Sequence, residues 1–448
     1  MDRRDFIKLC SLTGLGVASS QFTGSVVNEV NAQDADPNAP LFVYVGGSGG
    51  PDHMMLSAPV GNVQNSGGFV PNRDFAPGDI QTAGQNIIFA PPATIDANGQ
   101  PITPVEQYTG YGQLLVDHAD IATVIVGIDG QTNGHDTGRR VSSTGILAQN
   151  SPALAAVYAA AVAQAKPLAF ITNGYYDESQ GTDVAKTRLG NAGNLERLIF
   201  PNKINPGPED DLPRYHTDET FARIMETRQA RLDKMIANQR LPQLKNSMNL
   251  LYTARLGMSD LRRIVDFIPE ELGNGTVAQA NMIAAAYAAG LCQSATISRG
   301  GFDTHGAGTD DTQRANMGQL VAGIQQLFQR AEELNFADRL VVVLGGDFGR
   351  TPTYNSGNGK DHYPTTQTVV FDGRGRIPGG RQLGATDDTG RYRRVDPTTL
   401  QPSESGVAIH HSHIHAWLRE ELGIADSEVA RLNTLRNEES LPFSTATV

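Results

Sequence analysis

Carboxylates and imidazoles recur in this chain in short glycine-flanked segments. Three of them lie close together: Gly300-Gly301-Phe302-Asp303-Thr304-His305, Gly345-Gly346-Asp347-Phe348-Gly349-Arg350-Thr351 and Gly359-Lys360-Asp361-His362-Tyr363-Pro364. Asp303 and His305 are two residues apart, so in extended backbone their side chains point the same way. An oxygen and a nitrogen donor on one side suit a divalent metal. The alternative is an Asp that caps the next segment and a His that bonds a loop carbonyl. Asp347 follows the apolar run Leu340–Leu344, and a carboxylate buried at a strand exit is unfavourable unless paired or metal-bound. Arg350 either neutralises Asp347 as a structural pair or grips an anionic group through two parallel hydrogen bonds. Asp361 and His362 sit in a glycine-bounded loop and gain weight from their neighbours.

Two earlier segments belong with these. Asp52-His53 follows the first apolar run, and Gly134-His135-Asp136-Thr137-Gly138-Arg139-Arg140 follows the second. The latter brings a His, an Asp, a hydroxyl and two guanidinium groups to the expected start of a helix, where anions are favoured. Thr137, Ser142, Ser143 and Thr144 are each either a nucleophile or part of an N-cap cluster. His411 and His415 have the i,i+4 spacing of two-histidine zinc sites, but no Glu follows His411, and partly exposed helix-start histidines are the preferred reading.

The elements that must position these groups alternate. Strands are expected at Leu41–Val45, Ile121–Ile128, Leu168–Thr172, Ser294–Ser298, Leu340–Leu344 and Thr366–Phe371. Helices are expected at Tyr111–His118, Pro152–Ala165, Val277–Leu291, Thr312–Leu334 and His411–Leu422. Residues 56–107 read as long excursions or short strands, and 173–215 as irregular. From Thr217 to Leu272 the helical spacing gives two or three amphipathic helices, so 173–272 is the candidate insertion or cap. The alternation implies an α/β fold, a mostly parallel central sheet with helices on both faces. In such sheets ligands bind beyond the carboxyl ends of the strands.

The N-terminus bears on address. Arg3-Arg4-Asp5-Phe6-Ile7-Lys8 is a twin-arginine pattern, followed by a mildly apolar stretch and a small-residue cleavage site at Val30-Asn31-Ala32. Residues 1–32 are therefore expected to be a signal peptide, 33–40 a linker, and 41–448 one α/β domain, periplasmic or extracellular after export. Such export usually carries folded cargo, often loaded with a metal or cofactor. Cys10 leaves with the signal, and Cys292, between an Ala-rich apolar segment and a strand-like one, reads as a buried small hydrophobe. Net charge is −12 with no basic stripe, which argues against nucleic acid. No segment is apolar enough for a transmembrane helix.

The twin-arginine start and the Gly-Gly-Phe-Asp-Thr-His and Gly-Asp-Phe-Gly-Arg-Thr segments resemble the domain-of-unknown-function 1501 family. So do the Asp-His loop and the closing segment His415–Ile424. These exported bacterial proteins are placed in the alkaline-phosphatase-like, sulfatase-like superfamily. The resemblance implies a three-layer sandwich with one or two divalent metals (zinc, manganese, calcium or magnesium) held at strand ends. It also implies substrates that are small anionic esters or sulfated or phosphorylated glycans. By position, Asp52 resembles the superfamily's first metal carboxylate, Asp303 and His305 its central pair, Asp347 its next aspartate and His362 its last histidine. With Asp361 these are the expected metal donors. His135, Asp136, Thr137, Arg139 and Arg350 are the expected catalytic group. The chain departs from the superfamily at Phe348, where a His usually follows the aspartate, and in lacking a recognisable nucleophile motif near 129–145. The expected function is an exported metal-dependent hydrolase of phosphate or sulfate esters. The alternative is a non-catalytic exported binding or assembly protein with a degenerate site.

Overall fold

The computed structural model describes residues 39–92, 106–164, 166–188, 201–205, 212–241, 263–264, 266–435 and 440–446. The expected signal peptide, most of the expected linker and much of the expected cap lie outside them. The strands are β1 (Leu41–Gly47), β2 (Gln81–Ala83), β3 (Ile87–Phe89), β4 (Ala122–Asp129), β5 (Phe170–Thr172), β6 (Lys186–Arg188) and β7 (Ser294–Arg299). They continue as β8 (Leu340–Gly346), β9 (Gly349–Tyr354), β10 (Lys360–Tyr363), β11 (Thr365–Asp372), β12 (Arg381–Leu383) and β13 (Ile409–His410). The main helices are α1 (Glu106–Asp117), α2 (His135–Thr144), α3 (Leu154–Val162), α4 (Asp218–Asn238), α5 (Gly275–Ala288), α6 (Thr309–Glu333) and α7 (His411–Glu421).

One large sheet runs β12-β4-β11-β8-β1-β7-β5-β6, with β13 also paired to β4. Its pairings are parallel except those of β11 with β4 and β8. The exception has a simple cause. A parallel neighbour needs a crossover of a dozen or more residues, usually a helix. The chain between β8 and β11 instead folds at the carboxyl end of β8 as the β9–β10 hairpin, so β11 starts where β8 stops and runs back.

Both faces of the sheet are apolar because the strands carry continuous β-branched runs rather than alternating ones. Leu41, Val43 and Val45 of β1 and Leu340, Val342 and Leu344 of β8 pack into one core with α1, α5 and α6. Phe42, Tyr44, Val341 and Val343 point to the other core, with α3 and α7. Each such buried side chain contributes roughly 1.5–3 kcal/mol. The result is a three-layer α/β sandwich with a mostly parallel central sheet, and no helix among the described residues is long and apolar enough to cross a membrane.

The short elements β6, β12 and β13 and the β9–β10 hairpin join the expected strands. Of the expected cap, α4 carries a single buried side chain, Leu232. The expectation of partly exposed helix-start histidines is corrected. His410, at the helix start, is partly exposed, but His411, His413 and His415 are buried, because α7 packs back against α2. The ring of His415 bonds Ser142 O through Nε2 at 2.9 Å, and His413 Nδ1 accepts the His410 amide at 2.9 Å. Cys292 is buried in the first core, as expected.

Candidate metal centre

The exits of β7, β1 and β8 lie side by side, since Gly47 is level with both Arg299 and Gly346, and that of β4 lies at the same edge across the antiparallel β11, whose Thr365 is level with Asp129. The segments that follow them meet above the sheet. Asp303 and His305 come from the turn after β7, and His135 from the first turn of α2 after β4. His362 comes from β10, where a register shift between Lys360 and His362 brings Asp361 and His362 to the same imidazole; irregularities of this kind re-aim side chains beside sites. Gly138 lets α2 lie against the β8 exit, since a Cβ there would stand 2.5 Å from Asp347 O.

Asp303 is the hub. Its Oδ1 is 2.9 Å from His305 Nε2, 3.1 Å from His362 Nε2 and 3.0 Å from Arg350 Nη2. Its Oδ2 is 3.3 Å from His135 Nε2. The Nε2 atoms of His305 and His362 are 3.0 Å apart. One donor atom each from His135, Asp303 and His362 falls within a 4.8 Å group. Burial pushes the Asp303 carboxyl up. Hydrogen bonds from Arg350 and His362, with the charges of His135 and Arg350, outweigh it and hold the group well below the usual carboxylate range.

The other ring nitrogens all face outward onto acceptors. His135 Nδ1 is 2.9 Å from Asp347 Oδ2, His305 Nδ1 is 2.8 Å from Asp361 Oδ1, and His362 Nδ1 is 2.7 Å from Asn133 O. Asp347 is fully buried and also accepts the Gly49 amide at 3.0 Å on each oxygen and the Gly50 amide at 3.3 Å. Asp361 accepts from Asn355 Nδ2 at 2.9 Å, and this bond, followed by that of His305, lowers its pKa. Phe348, fully buried, lays its ring 4.9 Å from that of His135 and 4.4 Å from that of His362, centroid to centroid.

Several expectations are redistributed. His135, expected among the catalytic groups, turns Nε2 toward Asp303 together with His305 and His362. Asp347 and Asp361, expected as metal donors, stand one step behind the imidazoles with their oxygens already bonded. Asp52 is corrected as a donor: its Oδ2 meets Lys360 Nζ at 2.6 Å and its Oδ1 accepts the Met54 amide at 3.0 Å. That ion pair is buried on both sides, and nothing in the glycine-bounded loop announced Lys360 as the partner. His53, beside it, bonds Gly390 O at 2.7 Å.

Arg350 is also corrected. Neither the anion clamp nor the Asp347 pair forms, because its fully buried guanidinium is taken up by the carbonyls of Gly49, Gly50, Phe302 and Lys360 and by Asp303. Asp136 is exposed and pairs with Arg139 Nη2 at 2.5 Å, while Thr137 Oγ1 faces Arg140 Nη2 at 3.4 Å. Arg139 lies one turn along α2 from His135 and is only partly buried.

A family model described as "Protein of unknown function (DUF1501)" matches residues 39–402. No curated protein sequence matches significantly. Among solved structures, Ps i-CgsB in complex with k-i-k-neocarrahexaose aligns with a TM-score of 0.34 at 8% identity, over 89% of this chain and 75% of that one. The PsFucS1 sulfatase from Pseudoalteromonas sp. gives 0.33 at 8% identity over 90% and 73%. The phosphonate monoester hydrolase of Agrobacterium radiobacter gives 0.32 at 13% identity over 86% and 74%.

Proposed function

The chain belongs to the DUF1501 family, and we propose that it is an exported, metal-dependent hydrolase of phosphate or sulfate esters. The observation that carries this reading is the orientation of three histidines. His135, His305 and His362 each turn Nε2 toward Asp303 and have Nδ1 held by an acceptor. Such outer partners fix the tautomer and ring orientation of metal-binding histidines.

The donor atoms fit a cation. His135 Nε2 is buried without a hydrogen-bond partner. Two imidazoles and one carboxylate, with a third imidazole beside them, suit zinc or manganese better than calcium or magnesium, which prefer oxygen donors. His135, Asp303 and His362 would hold it, with His305 next to Asp303 and His362. When bound, a divalent ion supplies Lewis-acid polarisation of an ester oxygen.

The chain's own groups do the rest. Asp347 and Asp361 hold the protons of His135 and His305 on Nδ1 and leave Nε2 free to donate its lone pair. Arg350 fixes the Asp303 carboxylate from behind. Phe348 closes the floor against water, which strengthens the electrostatics above it. Arg139 offers a positive charge to the anionic group of the ester.

Elemental analysis tests the reading. Purified protein is expected to carry zinc or manganese, and Asp303→Ala and His362→Ala to lose both the metal and turnover of p-nitrophenyl phosphate or sulfate. Metal-free protein whose variants behave as wild type refutes it. Export rests on the Arg3-Arg4 pattern, and Arg3→Lys/Arg4→Lys is expected to retain the protein in the cytoplasm on cell fractionation. Phe348, in place of the usual His, favours a second reading as a non-catalytic binding or assembly module. Metal-loaded protein that hydrolyses no ester yet binds a sulfated glycan saturably would decide for that one.

A further inference from the structure

The turn that leaves β1 reads Gly46-Gly47-Ser48-Gly49-Gly50. Four of its five positions have no room for a side chain. A Cβ on Gly46 would lie 2.3 Å from the Tyr175 ring, on Gly47 2.7 Å from Pro51, on Gly49 2.4 Å from the Asp303 amide, and on Gly50 2.6 Å from the Phe348 ring. Ser48 is therefore the one place where this turn carries a side chain, and that side chain is a partly exposed hydroxyl.

The fold does not need the hydroxyl. The amides of Gly49 and Gly50 hold Asp347, and the Ser48 backbone bonds Arg299 O and the Phe302 amide. The hydroxyl instead faces Arg139, whose Nη1 is 3.5 Å away. The other partner of that guanidinium is exposed Asp136, and exposed ion pairs hold side chains weakly. Other hydroxyls near the centre are bonded or buried. Thr304 bonds Thr309 and Gln313, and Thr351 bonds the Asp361 amide and Thr353 O. Thr137 accepts from Arg140, Ser142 bonds Arg139 O and Tyr175, and Thr144 bonds Ile146. Ser143 Oγ has no hydrogen-bond partner but is buried away from any incoming ester.

We propose that Ser48 is the nucleophile of this site and forms a covalent seryl ester with the transferred group, with Arg139 steering the anion toward it. This rests on the hydrolase reading above. Ser48 Oγ bonds to the phosphorus or sulfur of the ester, and the bond from that atom to the bridging oxygen breaks. The electron pair leaves on the bridging oxygen, which takes up the proton released by Ser48 and departs as the alcohol. Water then cleaves the seryl ester, restores the Ser48 proton and releases phosphate or sulfate.

The test incubates wild-type protein with p-nitrophenyl phosphate and, separately, p-nitrophenyl sulfate, quenches in acid and maps adducts by peptide mass spectrometry. Turnover, metal content and thermal midpoint are followed in wild type, Ser48→Ala and Ser48→Gly. The expected result is an adduct on the Ser48 peptide and a loss of turnover of about a thousandfold or more in both variants, with metal content and midpoint unchanged. Adduct mapping uses the wild-type chain and so does not depend on how the variants fold. An adduct on another residue, or Ser48→Ala turnover within about tenfold of wild type, overturns the assignment and leaves the hydrolase reading standing. No turnover and no adduct in wild type overturns both.

Discussion

Asp347→Asn keeps the shape of the side chain and exchanges one acceptor oxygen for an NH2 donor. The wild-type carboxylate accepts the Gly49 amide at 3.0 Å on both oxygens and the Gly50 amide at 3.3 Å on Oδ1, and faces His135 Nδ1 at 2.9 Å through Oδ2. A single asparagine oxygen cannot serve the glycine amides and the imidazole together. If it turns to the glycines, the new NH2 meets His135 Nδ1 and obliges that nitrogen to accept, which moves the ring proton to Nε2. That proton then points at Asp303 and blocks the lone pair a metal would use. If the oxygen turns to His135, buried amides face an NH2, at about 1–3 kcal/mol for each unmet donor. Loss of an outer partner of this kind lowers metal affinity by about 10–100-fold, or about 1.4–2.8 kcal/mol. Chelator competition should therefore show zinc or manganese bound that much more weakly, and 15N NMR should find the His135 proton on Nε2. Affinity within about twofold of wild type, with the proton still on Nδ1, would refute the reasoning.

Three further outcomes are expected. Burial pushes His411, His413 and His415 down to about 4, about 4 and about 3, from an ordinary 6.5. The unfolded chain then binds more protons below pH 6.5, so their stabilisation is complete above that value and is lost as pH falls toward about 4. Melting temperature should drop over that range and drop less in His415→Gln, which keeps a donor for Ser142 O; equal pH profiles for the two proteins would contradict this. Lys360→Met leaves the buried Asp52 carboxylate unpaired and should destabilise by about 3–5 kcal/mol in urea unfolding, with Asp52→Asn/Lys360→Met recovering most of it; a loss under about 1 kcal/mol for the single variant would argue against the pair. Burial pushes the Cys292 thiol up to about 12, so peptide mapping should find it unlabelled by a thiol reagent in native protein and labelled in urea, and fast native labelling would be inconsistent with the buried core.

The strand exits are legible because runs such as Leu340–Leu344 end in glycine and then in an acid, a pattern that reads one residue at a time. What each acid binds is not local information. Asp52 and Lys360 are 308 positions apart, so nothing near Asp52 distinguishes a metal donor from one half of an ion pair. The same holds for His135, whose inward nitrogen is chosen by Asp347, 212 positions away. The i,i+4 spacing of His411 and His415 defines a helix face without saying which way it turns, and packing of α7 on α2 decides that. The β9–β10 hairpin hides behind a composition of Gly, Asn and Ser that reads as loop. Ser48 stands in a visibly glycine-rich turn, but the collisions that single it out come from Tyr175, Asp303 and Phe348, which only the fold brings near.

The four groups around Asp303 come from three separated strand exits, with the antiparallel β11 closing the sheet beneath them. A partly folded chain therefore holds at most a His-Asp pair from one turn, and the full set exists only once the long-range pairings of β4, β7 and β8 are made. Contacts of such high sequence separation form late. If the chain binds the metal proposed above, its capture is a final event of folding, governed by which ions surround the chain at that moment, since sites of this kind follow availability as much as intrinsic affinity. If the twin-arginine route proposed above is used, that moment falls before export. The ion at the centre would then be chosen by the cytoplasm and carried out with the protein, so a chain refolded in the metal mixture outside would acquire a different one.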